Sequence, residues 1–105
     1  MSPVAQFSAL ADETRCRIVG LLHEGPRPVH ELAAAFEISR PAISRHLRLL
    51  READLVVEVK QGRENVYSLR RHQLKRLSSW LDRHWGDRRQ PLTGDEPQPQ
   101  MELDF

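Results

Sequence analysis

The stretch PVHELAAAFEISRPAISRHLRLLREADL, residues 28–55, decides how this chain is read. Its apolar residues recur at helical spacing twice, with a polar break between the two runs. Val29, Leu32, Ala33 and Phe36 fall at i, i+3, i+4 and i+7, which predicts a short helix from Val29 to about Phe36. Glu37-Ile38-Ser39 turns the chain, Ser39 is a good N-cap, and Pro41 sits in a first turn where its missing N–H costs nothing. In the second helix, over 40–53, Ile43, Leu47 and Leu50 share one face with His46 at its edge. Pro41, Ser44, Arg45, Arg48 and Glu52 lie opposite, flanked by Arg40 and Arg51. A buried aliphatic stripe backed by a small, polar, cationic face suits insertion into a DNA major groove.

Upstream, Val4, Phe7, Leu10 and Ala11 predict a first helix within residues 2–11. Asp12 caps a second helix that ends near Glu24, with Gly25 as its stop. Its buried stripe is Thr14, Ile18, Leu21 and Leu22, and Cys16 falls on the other side. Gly25-Pro26-Arg27-Pro28 cannot continue a helix and marks a boundary.

Downstream, LVVEVK (55–60) and ENVYSLR (64–70) are rich in Val and Tyr and are separated by Gln61-Gly62-Arg63. That is a strand–loop–strand signal, with Gly62 supplying the turn. A hairpin directly after a helix-turn-helix pair is the arrangement of a winged helix, its tip presenting Lys60, Arg63 and Gln61, with Tyr67 as strand packing. A last helix spans Arg71 to Trp85, with Leu74, Leu77, Leu81, His84 and Trp85 as its apolar stripe and Trp80 at the border. So heavy a face needs more cover than a small domain supplies, and a second copy is the expected cover. Residues 91–105, rich in Pro, Gln and acid, read as a disordered acidic tail. The expected fold is mainly α with a small β-hairpin: a winged helix-turn-helix of five helices and a two-stranded wing, in one domain over 1–90.

The net charge of +1 hides a strong division along the chain. Residues 1–39 carry three Arg against five acids, and 40–71 carry eight Lys or Arg against four acids. Residues 72–90 carry five bases and two acids, and 91–105 four acids and no base. A basic middle suits a polyanion such as double-stranded DNA. No apolar run approaches the roughly 20 residues of a membrane span, and the N-terminus lacks a signal-peptide core. The single cysteine excludes an internal disulfide and suits a reducing cytoplasm, the expected location, with no membrane partner.

The segments LADETRCRIVGLL (10–22), VHELAAAFEISRPAISRHLRLLREADLV (29–56) and GRENVYSLR (62–70) together resemble the ArsR/SmtB-type winged-helix transcriptional repressors of bacteria. The likeness runs from residue 4 to 85 in order and spacing. The end LSSWLDRHW (77–85) is similar to a metal-independent branch that includes the SdpR-like autorepressors. The resemblance implies a homodimeric repressor whose first and last helices pair, with two recognition helices on a palindromic operator. It places Ser39, Arg40, Ala42, Ser44, Arg45 and His46 at the DNA and Arg63 at the wing tip. By chemistry, Arg45 or Arg40 suits guanine O6/N7, while Arg48 and Lys60 suit phosphates. The dimer face implied is Val4, Phe7, Leu10, Leu74, Leu77, Leu81, His84 and Trp85.

Metal response is the competing expectation. The family's thiol site uses Cys-x-Cys near the start of the third helix, where this chain has HELAAAF. Its last-helix zinc site begins with Asp-x-His, which Asp82-Arg83-His84 fits, but Asp95 and Gln98 stand where two histidines are wanted. Pro91 and Pro97 would break the helix that should carry them. No metal or cofactor is therefore expected, and Cys16, with no Lys-His cluster adjacent, reads as inert. There is no Gly-rich phosphate loop, no HExxH and little room for a pocket, so neither an enzyme nor a small-molecule substrate is expected. A module for protein contacts alone is disfavoured by the one-signed outer face of residues 40–53.

Overall fold

The computed structural model describes residues 2–86, the Trp85 side chain excepted. The expected acidic tail, 91–105, and the place of the Trp85 ring lie outside the described residues. Helices α1 (Val4–Leu10) and α2 (Glu13–His23) are followed by a two-residue strand β1 (Arg27–Pro28) and helix α3 (Val29–Ala34). Helix α4 (Arg40–Glu52), strands β2 (Val56–Gln61) and β3 (Glu64–Leu69) and helix α5 (Arg71–Leu81) complete the fold, ending in a π-helical turn, Asp82–Gly86.

The caps lie where the sequence puts them. Asp12 accepts a hydrogen bond from the Arg15 amide at 3.0 Å, and Ser39 Oγ accepts from the Ala42 amide at 3.2 Å. Gly25 closes α2 at φ +145°, a conformation that L side chains rarely adopt. Ile43, Leu47 and Leu50 are fully buried, together with Ile18, Leu22, Leu32, Leu55 and Val56. Helix α4 thus lies across the middle of the core, and α3 packs against it through Leu32. Thr14 and Leu21, expected in the same stripe as Ile18 and Leu22, are only half-buried.

Helix α4 ends in a reversal that the sequence does not announce. Asp54 has φ +64°, a place that usually takes glycine. Its amide donates to the Arg51 carbonyl at 2.9 Å, and the Leu55 amide donates to the Leu50 carbonyl at 2.9 Å. Those two bonds form a Schellman motif, with buried Leu50 and Leu55 as its apolar pair. The aspartate is held from outside, since Gln73 Nε2 donates to its Oδ2 at 2.6 Å. Gln73 is itself buried, as is Gln6, whose Nε2 donates to the Ala53 carbonyl at 2.8 Å.

The expected β2–β3 hairpin is present, one expectation is extended and another is corrected. The wing is part of a three-stranded antiparallel sheet, order β1-β3-β2, with Arg27 opposite Tyr67 and Pro28 opposite Val66. Two residues give no alternation to read, and a proline fits a strand only at an edge where its missing N–H faces away from the ladder. The last helix does not stay α-helical to Trp85, because the π turn begins at Asp82. There the His84 ring Nδ1 donates to the Trp80 carbonyl at 2.9 Å, the acceptor that an α-helix assigns to the His84 amide.

Leu47 and Leu49 provide an internal control for this packing. Leu47→Ala should destabilise by about 2–5 kcal/mol, whereas Leu49→Ala, 43% exposed, should cost well under about 1 kcal/mol. Urea unfolding followed by circular dichroism separates the two.

Candidate nucleic-acid interface

Burying one side of α4 fixes the other side in solvent. Ser39, Arg40, Pro41, Ser44, Arg45 and Arg48 are all exposed, while Ala42 and His46 are half-buried. Along β2 the side chains alternate, so Lys60 shares a face with Glu58 and Val56, and Val56 is buried on the α4 side. Gly62, at φ +64°, is the first central residue of a two-residue turn, where a type II′ hairpin wants glycine. Arg63 follows it at the exposed tip. The outer face of α4 and the wing therefore both present cations to solvent.

Their partners separate the arginines into two sets. Arg27 bonds Glu24 at 2.9 Å and lies 3.7 Å from Glu31, and Arg70 Nε is 3.4 Å from Asp54. Arg71 donates to the His23 carbonyl at 2.8 Å, and the Arg17 guanidinium lies 4.6 Å from the centre of the Phe36 ring. Arg51 is joined to Glu58, and Arg76 donates to Gln73. Arg40, Arg45, Arg48, Lys60 and Arg63 make no ion pair or side-chain hydrogen bond with any described residue, and neither do Lys75 and Arg83 of the C-terminal segment. Ion-paired charges are spent within the chain. The α4 and wing cations are available to a polyanion.

His46 has an internal task. Arg15 Nη1 donates to His46 Nδ1 at 3.0 Å and Arg15 Nε donates to the Ala9 carbonyl at 2.6 Å, so one guanidinium links α1, α2 and α4. Asp12 Oδ2 lies 3.8 Å from the same ring nitrogen. The Arg15 backbone bond is the largest influence on the Asp12 carboxyl; opposed by burial and aided by the Arg15 charge, it holds the group below its usual range. At the wing, Tyr67 is pushed up to about 12, first by burial, then by its hydrogen bond to Glu58 and that carboxylate's charge. A raised phenol stabilises the fold below its unfolded value, and that contribution is lost as pH rises through the folded one.

The apolar residues expected at a partner face divide in two. Val4 and Leu81 are 68% and 48% exposed, and His84 is exposed. Leu10 and Leu74 pack partly on the core, and Leu77, at 7%, is already covered by its own chain. Phe7 meets Trp80 edge-on at 5.5 Å, and Trp80 lies 4.4 Å from the His84 ring, so α1 and α5 close on each other through aromatic rings. Among the described residues no three His, Cys, Asp or Glu side chains gather as a metal would need. Cys16 is exposed, with its thiol directed at the Leu10 carbonyl at 3.0 Å. No described helix is long and apolar enough to cross a membrane.

A buried-backed helix with a cationic face, beside a wing of the same sign, defines a winged-helix DNA reader. Residues 12–58 match the family described as "Bacterial regulatory protein, arsR family". The HTH-type transcriptional regulator Rv2034 of Mycobacterium tuberculosis is 45% identical, over 80% of this chain and 78% of its own. The arsenical resistance operon repressor of Escherichia coli is 44% identical, over 79% and 72%. The transcriptional repressor SdpR of Bacillus subtilis is 35% identical, over 71% and 83%. A solution structure of a homodimeric winged helix-turn-helix DNA-binding domain from Mycobacterium bovis matches with a TM-score of 0.66 at 26% identity, over 77% of this chain and 75% of that one. The chain belongs to the ArsR family of bacterial regulatory proteins: it is a DNA-binding transcriptional regulator and not an enzyme. The likeness to SdpR is present, alongside a higher identity to the arsenical repressor.

Asp12→Asn keeps the cap and removes the titrating carboxyl. Stability at pH 7 should stay within about 0.5 kcal/mol of the parent. A carboxyl held below 3.8 contributes stability at higher pH that is lost as pH falls through its folded value. The variant should therefore lose less on acidification than the parent, as thermal melts at pH 7 and pH 3 will read.

Proposed function

We propose that this protein is a cytoplasmic, homodimeric repressor that binds a palindromic operator without metal control. The observation that carries the reading is the set of cations Arg40, Arg45 and Arg48 on α4 with Lys60 and Arg63 on the wing, all exposed and none ion-paired with a described residue. Arg45 or Arg40 is the guanine reader, Ser44 reaches a phosphate or base edge, and Arg48, Lys60 and Arg63 neutralise phosphates. Ser39 and Ala42 hold the start of the helix close to the backbone, and His46 supports it from the protein side. Exposed Val4, Leu81 and His84 favour pairing through α1 and α5, and the similar Mycobacterium bovis domain is homodimeric.

Two relatives, the arsenical repressor and SdpR, pull the regulatory reading in different directions. The absence of cysteine from HELAAAF favours repression without metal control. Adding zinc, copper or arsenite should leave operator affinity unchanged. A shift of about tenfold or more, roughly 1.4 kcal/mol of coupling, would establish a sensor instead.

Operator binding after selection from genomic fragments tests the reading face. Arg45→Ala should cost about 1–3 kcal/mol at its base pair and relax sequence preference there. Arg63→Ala should weaken all sequences alike and lower the salt slope by about one. If both variants footprint like the parent, the assignment of this face is wrong. Val4→Glu with Leu81→Glu should give monomers in sedimentation that bind a half-site and lose the full palindrome; tight palindrome binding by monomers would reject the dimer.

A further inference from the structure

We propose that Arg51, Glu58 and Tyr67 form a strut that fixes the angle of the wing against the recognition helix, which makes them positioning residues and not DNA contacts. The inference rests on the DNA-binding face described above and extends it to residues that touch no DNA.

By helical spacing Arg51 falls in the same row as Arg40 and Ser44, so it would pass for another phosphate contact. Its guanidinium is turned away to Glu58 Oε1 on β2. The second oxygen, Glu58 Oε2, accepts from Tyr67 Oη at 3.0 Å on β3. Glu58 and Tyr67 are direct cross-strand partners, and Tyr67 is 7% exposed, with its ring rooted in the core. One carboxylate thus joins the last turn of α4, β2 and β3, with both of its oxygens engaged.

Beyond this point the ribbon stands free. Val59, Lys60, Gln61, Gly62, Arg63 and Glu64 are all exposed. A two-stranded ribbon has little rigidity of its own, so its direction is set where it last meets the body. Arg63 lies about five residues past Glu58, roughly 15 Å along the strand, so a 10° error at the strut moves the tip by about 2–3 Å. A hydrogen bond to phosphate tolerates a few tenths of an ångström. Two other ties reach the wing: the two-residue pairing of β1 with β3, which extends only to Val66, and His30 Nδ1 to Glu64 Oε2 at 3.4 Å, which joins two half-exposed side chains and is the weaker brace.

Charge alone predicts the opposite outcome from the strut, which makes the test decisive. Removing Glu58 deletes an acid beside a polyanion and frees Arg51, so simple electrostatics would raise DNA affinity. The strut requires affinity to fall. Glu58→Thr keeps a strand-forming residue too short to reach either partner, and Tyr67→Phe removes only the hydroxyl and keeps the buried ring. Affinity for the duplex enriched by selection from a random library would be measured for parent, Glu58→Thr, Arg63→Ala and the double variant, with melting temperature as the folding check. Glu58→Thr should weaken binding about fivefold, and Arg63→Ala, worth about fivefold in the parent, should cost less than about twofold in the Glu58→Thr background. Unchanged or tighter binding by Glu58→Thr, or a full additive effect of Arg63→Ala in both backgrounds, overturns the strut. If Glu58→Thr fails to fold, the same cycle with Tyr67→Phe decides on the same criteria. Arg63→Ala without effect in the parent would overturn the wing contact itself, an outcome distinct from failure of the strut alone.

Discussion

Everything in this fold depends on one stripe, Ile43, Leu47 and Leu50, being taken wholly out of water. Each such side chain is worth about 1.5–3 kcal/mol on burial, so together they hold the axis and the rotation of α4 far more firmly than any surface pair can. Rotation is what matters for reading DNA. Once the stripe is fixed, the outward directions of Ser44, Arg45 and Arg48 are fixed as well. The core and the proposed reading face are two sides of a single decision.

The reversal at Asp54 carries that decision from the helix into the sheet. A left-handed residue at this point turns the chain within two positions, which lets Leu55 and Val56 enter the core directly and starts β2 beside the helix it has just left. Strain at a non-glycine φ of +64° persists only when the surroundings over-determine it. Here Gln73 from α5 grips the carboxylate, while Gln6 from α1 takes the neighbouring Ala53 carbonyl. The two helices whose exposed apolar residues await cover are thus also the ones that lock the end of α4. Any change in how α1 and α5 sit has a direct physical route to the recognition helix through these two buried amides.

Much of this was legible in the sequence, for identifiable reasons. Ser39, Pro41 and the 43–47–50 stripe are strong local signals, because capping and helical periodicity act over a few residues and do not need the rest of the fold. Gly62 between two Val-rich runs is equally local. Strand β1 was not legible, since pairing of Arg27 with Tyr67 joins positions forty residues apart and leaves no pattern in two residues. Asp54 was hidden because its left-handed turn is sustained by Gln73, nineteen residues away. The role of Arg51 was hidden for the same reason: its partner Glu58 comes within reach only after the reversal has been made.

The same logic explains why composition alone does not define the DNA face. Arg51 and Arg45 are chemically identical and sit on one helix, yet only Arg51 has an acid brought to it by the fold. Acids answer Arg27 through Glu24 and Glu31, and Arg70 through Asp54, in each case from a position set by tertiary structure or by the adjoining turn. Arg48 has Glu52 four residues on, the less favourable order for a helical pair, and no bridge forms. The proposed reading face is therefore defined as much by where the fold withholds carboxylates as by where the sequence supplies arginines. A cation whose charge is already matched gains little from a phosphate, and its better use is to hold the frame on which the unmatched cations stand.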